Sequence, residues 1–162
     1  MTIILRNSQK ANVAGDVVCT TEGHYCPFCF EVKSYAKIDF SHLLLQGLKL
    51  HGELATRVKN VDVLDYWSQA KRDAETVKKI PMVMMRYNGM PSDLFFIVID
   101  MPTYLSITNK LPLPKGTKTL KYNSQEKQSL VILNSFDLFS LPYREVRKIA
   151  KFVIKHRYGK KR

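Results

Sequence analysis

Apolar and polar residues alternate from position 28 to 34, and this alternation predicts a β-strand. Aromatic and aliphatic side chains at the even positions alternate with Cys29, Glu31 and Lys33. A period of two is the signature of a strand. Successive side chains of a strand point to opposite faces, so Glu31 and Lys33 are expected on the same face. The pattern therefore predicts a carboxylate beside an ammonium group on a rigid element.

Apolar residues at helical spacing predict three helices. One apolar stripe runs through residues 62–78, with Asp62 as its predicted N-cap. A stripe through residues 41–60 is interrupted by two glycines, which weaken the prediction there. The last helix starts at Pro142, because proline is favoured at the first helical position. Its apolar face consists of Val146, Ile149, Ala150, Val153 and Ile154.

Further strands are predicted in the second half of the chain. Residues 81–87 and 94–100 are largely apolar, and Asn88-Gly89 between them favours a tight turn, so the two strands are expected to form a hairpin. Residues 130–133 predict a short buried strand. The intervening residues 101–128 are rich in lysine and are expected to form an exposed basic loop or a loose hairpin.

Length and composition favour one domain spanning residues 1–162. A chain of 162 residues suits a single core, and 45% apolar and 25% charged residues are typical of a globular protein. The elements above predict an α/β domain with a mixed central β-sheet flanked by helices. The apolar runs are too short to cross a bilayer, and the first residues lack a signal-peptide pattern. We therefore expect a cytoplasmic protein, in the host cytoplasm if viral, with no membrane partner.

The chain is strongly basic, with a net charge of +12 from 26 Lys and Arg against 14 Asp and Glu. This charge implies a polyanionic partner. The helix from position 142 carries a basic back that suits a phosphate backbone. It also suits an anionic membrane, but a membrane-binding helix usually has a bulkier apolar face with Trp or Phe, and this helix offers only Phe152. We therefore predict a nucleic acid as the partner. The predicted nucleic-acid-binding residues are Arg6, Asn7, Lys10, Arg144, Lys148, Lys151 and Lys155.

Asp16 adds a second carboxylate to the candidate chemistry. It follows Gly15 at a predicted turn into a strand, and antiparallel pairing of that strand with the Glu31 strand would bring the two carboxylates together. Such oxygen ligands suit Mg²⁺ or Mn²⁺. Lys33 would then position a water or stabilise the pentacovalent phosphorus, and Gln69 on the helix at 62–78 would orient a water or phosphate. The alternative is that Glu31 and Lys33 form a solvated surface pair.

The order of Asp16, a gap and then Glu31-Val32-Lys33 resembles the PD-(D/E)XK nuclease superfamily, in particular the small phage and archaeal Holliday junction resolvase-like endonucleases. The resemblance covers residues 5–100. It implies a restriction-endonuclease-like fold, metal-dependent cleavage of DNA, including branched DNA, and a homodimer. Further matching segments are Arg6-Asn7-Ser8-Gln9-Lys10 before Gly15-Asp16, Ile38-Asp39-Phe40, Trp67-Ser68-Gln69-Ala70, and the strand 79–85.

The chain departs from that family pattern in three places. Families of this type usually carry a glutamate on a helix before the aspartate, whereas no acidic residue precedes Asp16 here. Gly15-Asp16 stands where the family has Pro-Asp, and residues 41–60 are additional. The missing glutamate leaves open whether the site holds one metal or two. It also leaves open a structural protein with a nuclease-like fold whose site has decayed.

Three cysteines support a different function. An odd number of cysteines without a signal peptide argues against a disulfide framework. Cys26 and Cys29 form a C-x-x-C, and with Cys19 and His24 they make a possible four-ligand Zn²⁺ site. The alternative to an enzyme is therefore a non-catalytic DNA-binding module built on a small zinc knuckle.

Overall fold

The computed structural model describes residues 3–5, 15–19, 25–36, 38, 63–123 and 129–159. Predictions that fall on residues 6–14 and 41–60, among them Arg6, Asn7, Lys10 and one helix, lie outside the described residues. The described elements, in chain order, are β1 (Ile3–Leu5), β2 (Val17–Cys19), β3 (Phe28–Tyr35), α1 (Val63–Val77), β4 (Ile80–Tyr87), β5 (Phe96–Asp100), α2 (Met101–Thr108), β6 (Thr119–Asn123), β7 (Ser129–Asn134), α3 (Ser135–Phe139) and α4 (Tyr143–Tyr158).

A mixed five-stranded sheet forms the centre of the molecule, in the order β3-β4-β5-β7-β6. β3 and β4 are parallel, and the other neighbouring strands are antiparallel. β4 and β5 form the hairpin predicted around Asn88-Gly89, and β7 is the predicted buried strand. The predicted fold class, a single mixed sheet flanked by helices, is confirmed.

The two faces of this sheet pack against different helices. Met82 and Met84 of β4 belong to the core on the side of α2 and α4, whereas Val83 and Met85 belong to the core on the side of α1. Because both faces are covered, β4 is a continuous apolar run rather than an alternating one. Glu31 of β3 is in register with Val83, so the odd-numbered side chains of β3 point toward α1.

The helices α1 and α4 match the sequence pattern. α1 buries four side chains on one stripe, and α4 begins directly after Pro142 with its predicted apolar face against the sheet. The Tyr158 hydroxyl donates a hydrogen bond to the Lys79 carbonyl (2.8 Å), which ties the end of α4 to the start of β4. No helix among the described residues is both long enough and apolar enough to cross a bilayer.

The prediction of a loop over residues 101–128 is wrong at its beginning and in part at its end. α2 starts directly after β5, with the Asp100 carboxylate accepting a hydrogen bond from the Thr103 N–H (2.7 Å) and Pro102 in the first turn. An N-cap aspartate followed by proline is a helix-start signal, which the apolar run through position 100 obscures. β6 lies within this range and pairs antiparallel with β7, a pairing that the sequence did not predict.

Candidate active site

β3 brings a buried carboxylate and an ammonium group together. Glu31 is 3% exposed, and it forms an ion pair with Lys33, whose side chain is 24% exposed. The Lys33 ammonium also lies over the Tyr66 ring of α1, with 5.2 Å between Nζ and the ring centroid. Lys33 is therefore held between a carboxylate and an aromatic face, on the side of the sheet that α1 covers.

Asp16 lies against the free edge of the same strand. Its backbone N–H donates to the Phe30 carbonyl (2.7 Å), and its carboxylate accepts from the Val32 N–H (2.8 Å). The carbonyls of Pro27 and Tyr35 bond to the β4 side, so the polar groups of Phe30 and Val32 point away from β4. The two hydrogen bonds thus flank Glu31 and fix the Asp16 carboxylate beside it.

The route by which Asp16 reaches Glu31 differs from the predicted antiparallel hairpin. β2 pairs with β1 in a separate two-stranded sheet, and β3 pairs with β4. Asp16 precedes β2, and two hydrogen bonds join it to the edge of β3. A carboxylate can accept a backbone N–H in place of a strand carbonyl, a possibility that the alternation pattern does not encode.

Gly15 allows this close approach. Its φ is +87°, and a Cβ there would lie 2.8 Å from the Cys29 Sγ and 3.0 Å from the Phe30 carbonyl oxygen. Both the backbone conformation and the lack of space favour glycine. The proline that the family pattern places before the aspartate would fit neither, since proline fixes φ near −65°.

The site contains a buried carboxyl group, that of Glu31, with other acidic side chains near it. Burial raises the pKa of the Glu31 carboxyl, and the charges of Asp16 and Asp73 raise it further, although Lys33 partly opposes them. A bound cation would oppose both the burial of the Glu31 charge and its repulsion from the acidic neighbours.

α1 supplies side chains that the sequence patterns only partly identified. Gln69 is half-buried and lies one turn after Tyr66, whose ring contacts Lys33 and stacks on Tyr35 (5.7 Å between centroids). Burial raises the pKa of Tyr35, and the neighbouring Tyr66 hydroxyl adds to the rise. Tyr66 and Asp73 were missed as site residues. Their spacing from Gln69, three and four residues, was the available signal.

The ligands available for a metal are two carboxylates. Within the described parts of the chain, no group of three or more His, Cys, Asp or Glu side chains is arranged to hold a metal ion. Mg²⁺ does not need such a cage, because it keeps several waters and binds through one or two carboxylates together with substrate phosphates. Asp16 and Glu31 therefore fit a hard divalent cation.

The two cysteines whose side chains the structure describes, Cys26 and Cys29, lie on opposite faces of the sheet. Cys26 packs with Phe28 and Phe30 in the core on the α2 and α4 side, whereas Cys29 lies on the α1 side near Asp73. Both thiols are buried, and burial raises the pKa of Cys29 to about 11. His24 and the side chain of Cys19 lie outside the described residues.

The four predicted nucleic-acid-binding residues that the structure describes are not next to Glu31. Arg144, Lys148, Lys151 and Lys155 are on α4, and α4 packs on the face of the sheet opposite to Glu31 and Lys33. The structure therefore brings together Asp16, Glu31 and Lys33, with Gln69 on the covering helix, and keeps the basic helix separate.

A comparison with protein families identifies the family of the chain. Residues 4–148 match a family model described as "phage putative PDDEXK endonuclease". No curated protein and no solved structure matched the chain. The matched segment contains the β3 pair, Asp16 and Gln69, and it covers most of the 162 residues. The chain belongs to this phage PDDEXK endonuclease family, and hence to the PD-(D/E)XK superfamily.

Proposed function

We propose that this endonuclease is a divalent-metal-dependent deoxyribonuclease whose hydrolytic centre consists of Asp16, Glu31, Lys33 and Gln69. One observation carries the assignment: the buried Glu31 carboxylate contacts the Lys33 ammonium on one strand, and Asp16 is fixed at the edge of that strand. Membership of an endonuclease family supports the reaction class.

Asp16 and Glu31 would hold Mg²⁺ or Mn²⁺. Burial of the Glu31 carboxyl, which is 3% exposed, raises its pKa most, and repulsion from the neighbouring Asp16 carboxylate adds to the rise. A divalent cation removes the repulsion and accepts the oxygen ligands that both residues offer. When bound, such an ion would polarise a phosphoryl oxygen and lower the pKa of a coordinated water.

Lys33 would stabilise the charge that develops on the phosphoryl oxygens. Its ammonium is held by Glu31 and by the Tyr66 ring, so it is in position before substrate arrives. Preorganised charge in a site of limited hydration is worth more than the same charge in water, because no reorganisation is needed during the reaction. Its Glu31 contact also orients it.

Gln69 would orient the attacking water or a phosphate oxygen. Its side-chain amide has N–H donors and a carbonyl acceptor, so it can hydrogen-bond to an acceptor and to a donor at the same time. It is half-buried on the helix that also carries Tyr66, so its backbone is fixed relative to Lys33.

DNA is the proposed substrate, and the resemblance to junction resolvases adds branched DNA and a homodimer to the proposal. The net charge of +12 favours a polyanion, with an affinity that falls as salt rises. Linear, nicked, flapped and four-way DNA incubated with Mg²⁺, Mn²⁺ or EDTA form the direct test. We expect cleavage with either metal and none in EDTA. Faster cleavage of the four-way form would support the branched substrate, and sedimentation would report the dimer.

Lys33→Ala tests the assignment of the centre within the same panel. We expect cleavage to fall by about 100-fold or more, while DNA binding in EDTA changes little. Ser34→Ala is the matched control, because Ser34 is exposed on the same strand and faces away from Glu31. Equal cleavage by Lys33→Ala and Ser34→Ala would reject the proposed centre. Binding without cleavage of any DNA form would instead support a decayed site.

A further inference from the structure

A stripe of cations runs along the solvent side of α4. Its members are spaced by four, three and four residues, which places them on one face of a helix. The apolar face of α4 is buried against the sheet, so the stripe is fixed outward. Lys148 pairs with Glu145 (2.7 Å), and the other three form no ion pair with any described residue. We call the following residues the α4 stripe: Arg144, Lys148, Lys151 and Lys155.

An aromatic ring lies within this positive surface. Phe152 is 54% exposed although it is next to Lys151 in sequence and one turn from Lys148 and Lys155. The His156 ring lies against it, 4.0 Å between centroids, and the Lys110 ammonium from the end of α2 lies 5.3 Å from its centroid. Exposure of a large apolar ring to water is unfavourable, and this ring does not pack in the core. It offers a flat surface to a planar partner that carries negative charge nearby.

α2 is held in place against α4, so Lys110 and Phe152 have fixed relative positions on this surface. Arg157 donates from Nη2 to the Asp100 carboxylate and to the Thr103 hydroxyl (3.1 Å), which joins the end of α4 to the start of α2. Lys110 follows α2 closely and is held over Phe152 from the other helix.

DNA seated at Glu31 does not reach this surface as a straight duplex. The sheet and the whole thickness of α4, roughly 10–12 Å with its side chains, lie between the two. Duplex DNA has a persistence length of about 150 base pairs, so it does not fold around an object of this size at low cost. A single strand is flexible enough to follow such a path, and its unpaired bases can stack on an exposed ring.

We propose that the α4 stripe, together with Phe152 and Lys110, is a second nucleic-acid site that binds a single strand, with a base stacked on Phe152 and phosphates on the cations. The inference deepens the proposed function and rests on it, because it names a strand-binding surface for the same enzyme on the other side of the sheet. Stacking and phosphate contacts without base-edge readout make this binding independent of sequence.

The test is binding of a labelled oligothymidylate by fluorescence anisotropy in EDTA, where metal-dependent cleavage does not interfere. We expect Phe152→Ala to weaken binding about tenfold. Lys151→Gln combined with Lys155→Gln should reduce the slope of log affinity against log salt by about 1.4, because each single-strand phosphate that is no longer neutralised lowers that slope by about 0.7. Phe139→Ala is the matched control: Phe139 is 51% exposed, but it lies on α3 near Asp137.

The outcomes separate this inference from the proposed function. Equal affinity of Phe152→Ala and Phe139→Ala for the oligonucleotide would overturn the second site, whether or not the unsubstituted protein cleaves duplex DNA. Phe152-dependent binding by a protein that cleaves no DNA would support the second site and reject the nuclease centre. Phe152-dependent binding to phosphatidylserine vesicles, without an effect on the oligonucleotide, would assign the surface to a membrane and overturn the inference.

Discussion

Val32 donates its backbone N–H to the Asp16 carboxylate at 2.8 Å, so a side chain closes the free edge of β3 where another strand would otherwise pair. Unpaired edge groups invite association with other chains, and a carboxylate at this point satisfies one of them. The same carboxylate is a proposed metal ligand. Asp16 therefore has a structural role and a proposed chemical role, and different substitutions can separate the two.

Asp16→Asn should keep the hydrogen bond and lose the charge. The amide oxygen still accepts the Val32 N–H, so we expect a melting temperature close to that of the unsubstituted protein, with cleavage reduced by about 100-fold or more. Asp16→Ala loses both, and leaving the N–H without a partner should cost about 1–3 kcal/mol of unfolding free energy. Thermal melts and cleavage rates check both variants. Full cleavage by Asp16→Asn would show that the charge has no chemical part.

Gly15→Ala should disturb the site more than the same change at other glycines with positive φ. Gly15, Gly89 and Gly116 have φ of +87°, +91° and +92°, so alanine meets a similar backbone cost of about 1–2 kcal/mol at each. Of these three, Gly15 alone has a new Cβ that meets other atoms, the Cys29 Sγ at 2.8 Å and the Phe30 carbonyl at 3.0 Å. We expect a lower melting temperature and slower cleavage for Gly15→Ala than for the two controls. Three equal melting temperatures would contradict this account of the edge.

Tyr66 should act through the position of Lys33. Tyr66→Leu removes the ring beneath the ammonium, a contact worth about 0.5–2 kcal/mol, so we expect cleavage to slow about two- to thirtyfold. Tyr66→Phe keeps the ring and loses the hydroxyl, and it should retain most of the activity. A loss in kcat with little change in KM would fit a role for Tyr66 in positioning Lys33. Similar losses in both variants would instead point to the hydroxyl.

The strand β3, the helices α1 and α4 and the Glu31–Lys33 pair were predictable because each leaves a local signature in the sequence. Period-two alternation located β3, and helical spacing located α1 and α4. Glu31 and Lys33 share a face for the same local reason. These features depend only on residues close together in the chain.

Features that depend on distant residues were not predictable. No pattern near Asp16 reveals that its carboxylate would replace a strand partner of β3, since that contact spans 16 residues. The crossover between the parallel strands β3 and β4 includes α1 on one face of the sheet. α4 follows β7 and packs on the other face, which separates the basic helix from Glu31. Charge in the sequence indicated a surface for a polyanion but not the side of the sheet on which it lies.

Neutralising Glu31 should stabilise the metal-free protein at neutral pH. Burial raises the pKa of Glu31, so the folded state binds its proton more tightly than the unfolded state does. Stability then rises as pH falls between the raised pKa and the ordinary value for glutamate, and the ionised group costs stability above that window. Glu31→Gln removes this cost while its amide oxygen still accepts from Lys33.

We therefore expect Glu31→Gln to melt higher than the unsubstituted protein at neutral pH in EDTA, by about 2–4 °C for each kcal/mol recovered. The difference should vanish below the ordinary pKa of glutamate, where both proteins carry an uncharged group. Adding Mg²⁺ should raise the melting temperature of the unsubstituted protein alone, because binding to the folded state stabilises it and the variant lacks a ligand. Glu145→Gln, at an exposed glutamate, serves as the control. A variant that melts lower at neutral pH would mean that the ion pair with Lys33 outweighs the burial of the Glu31 charge.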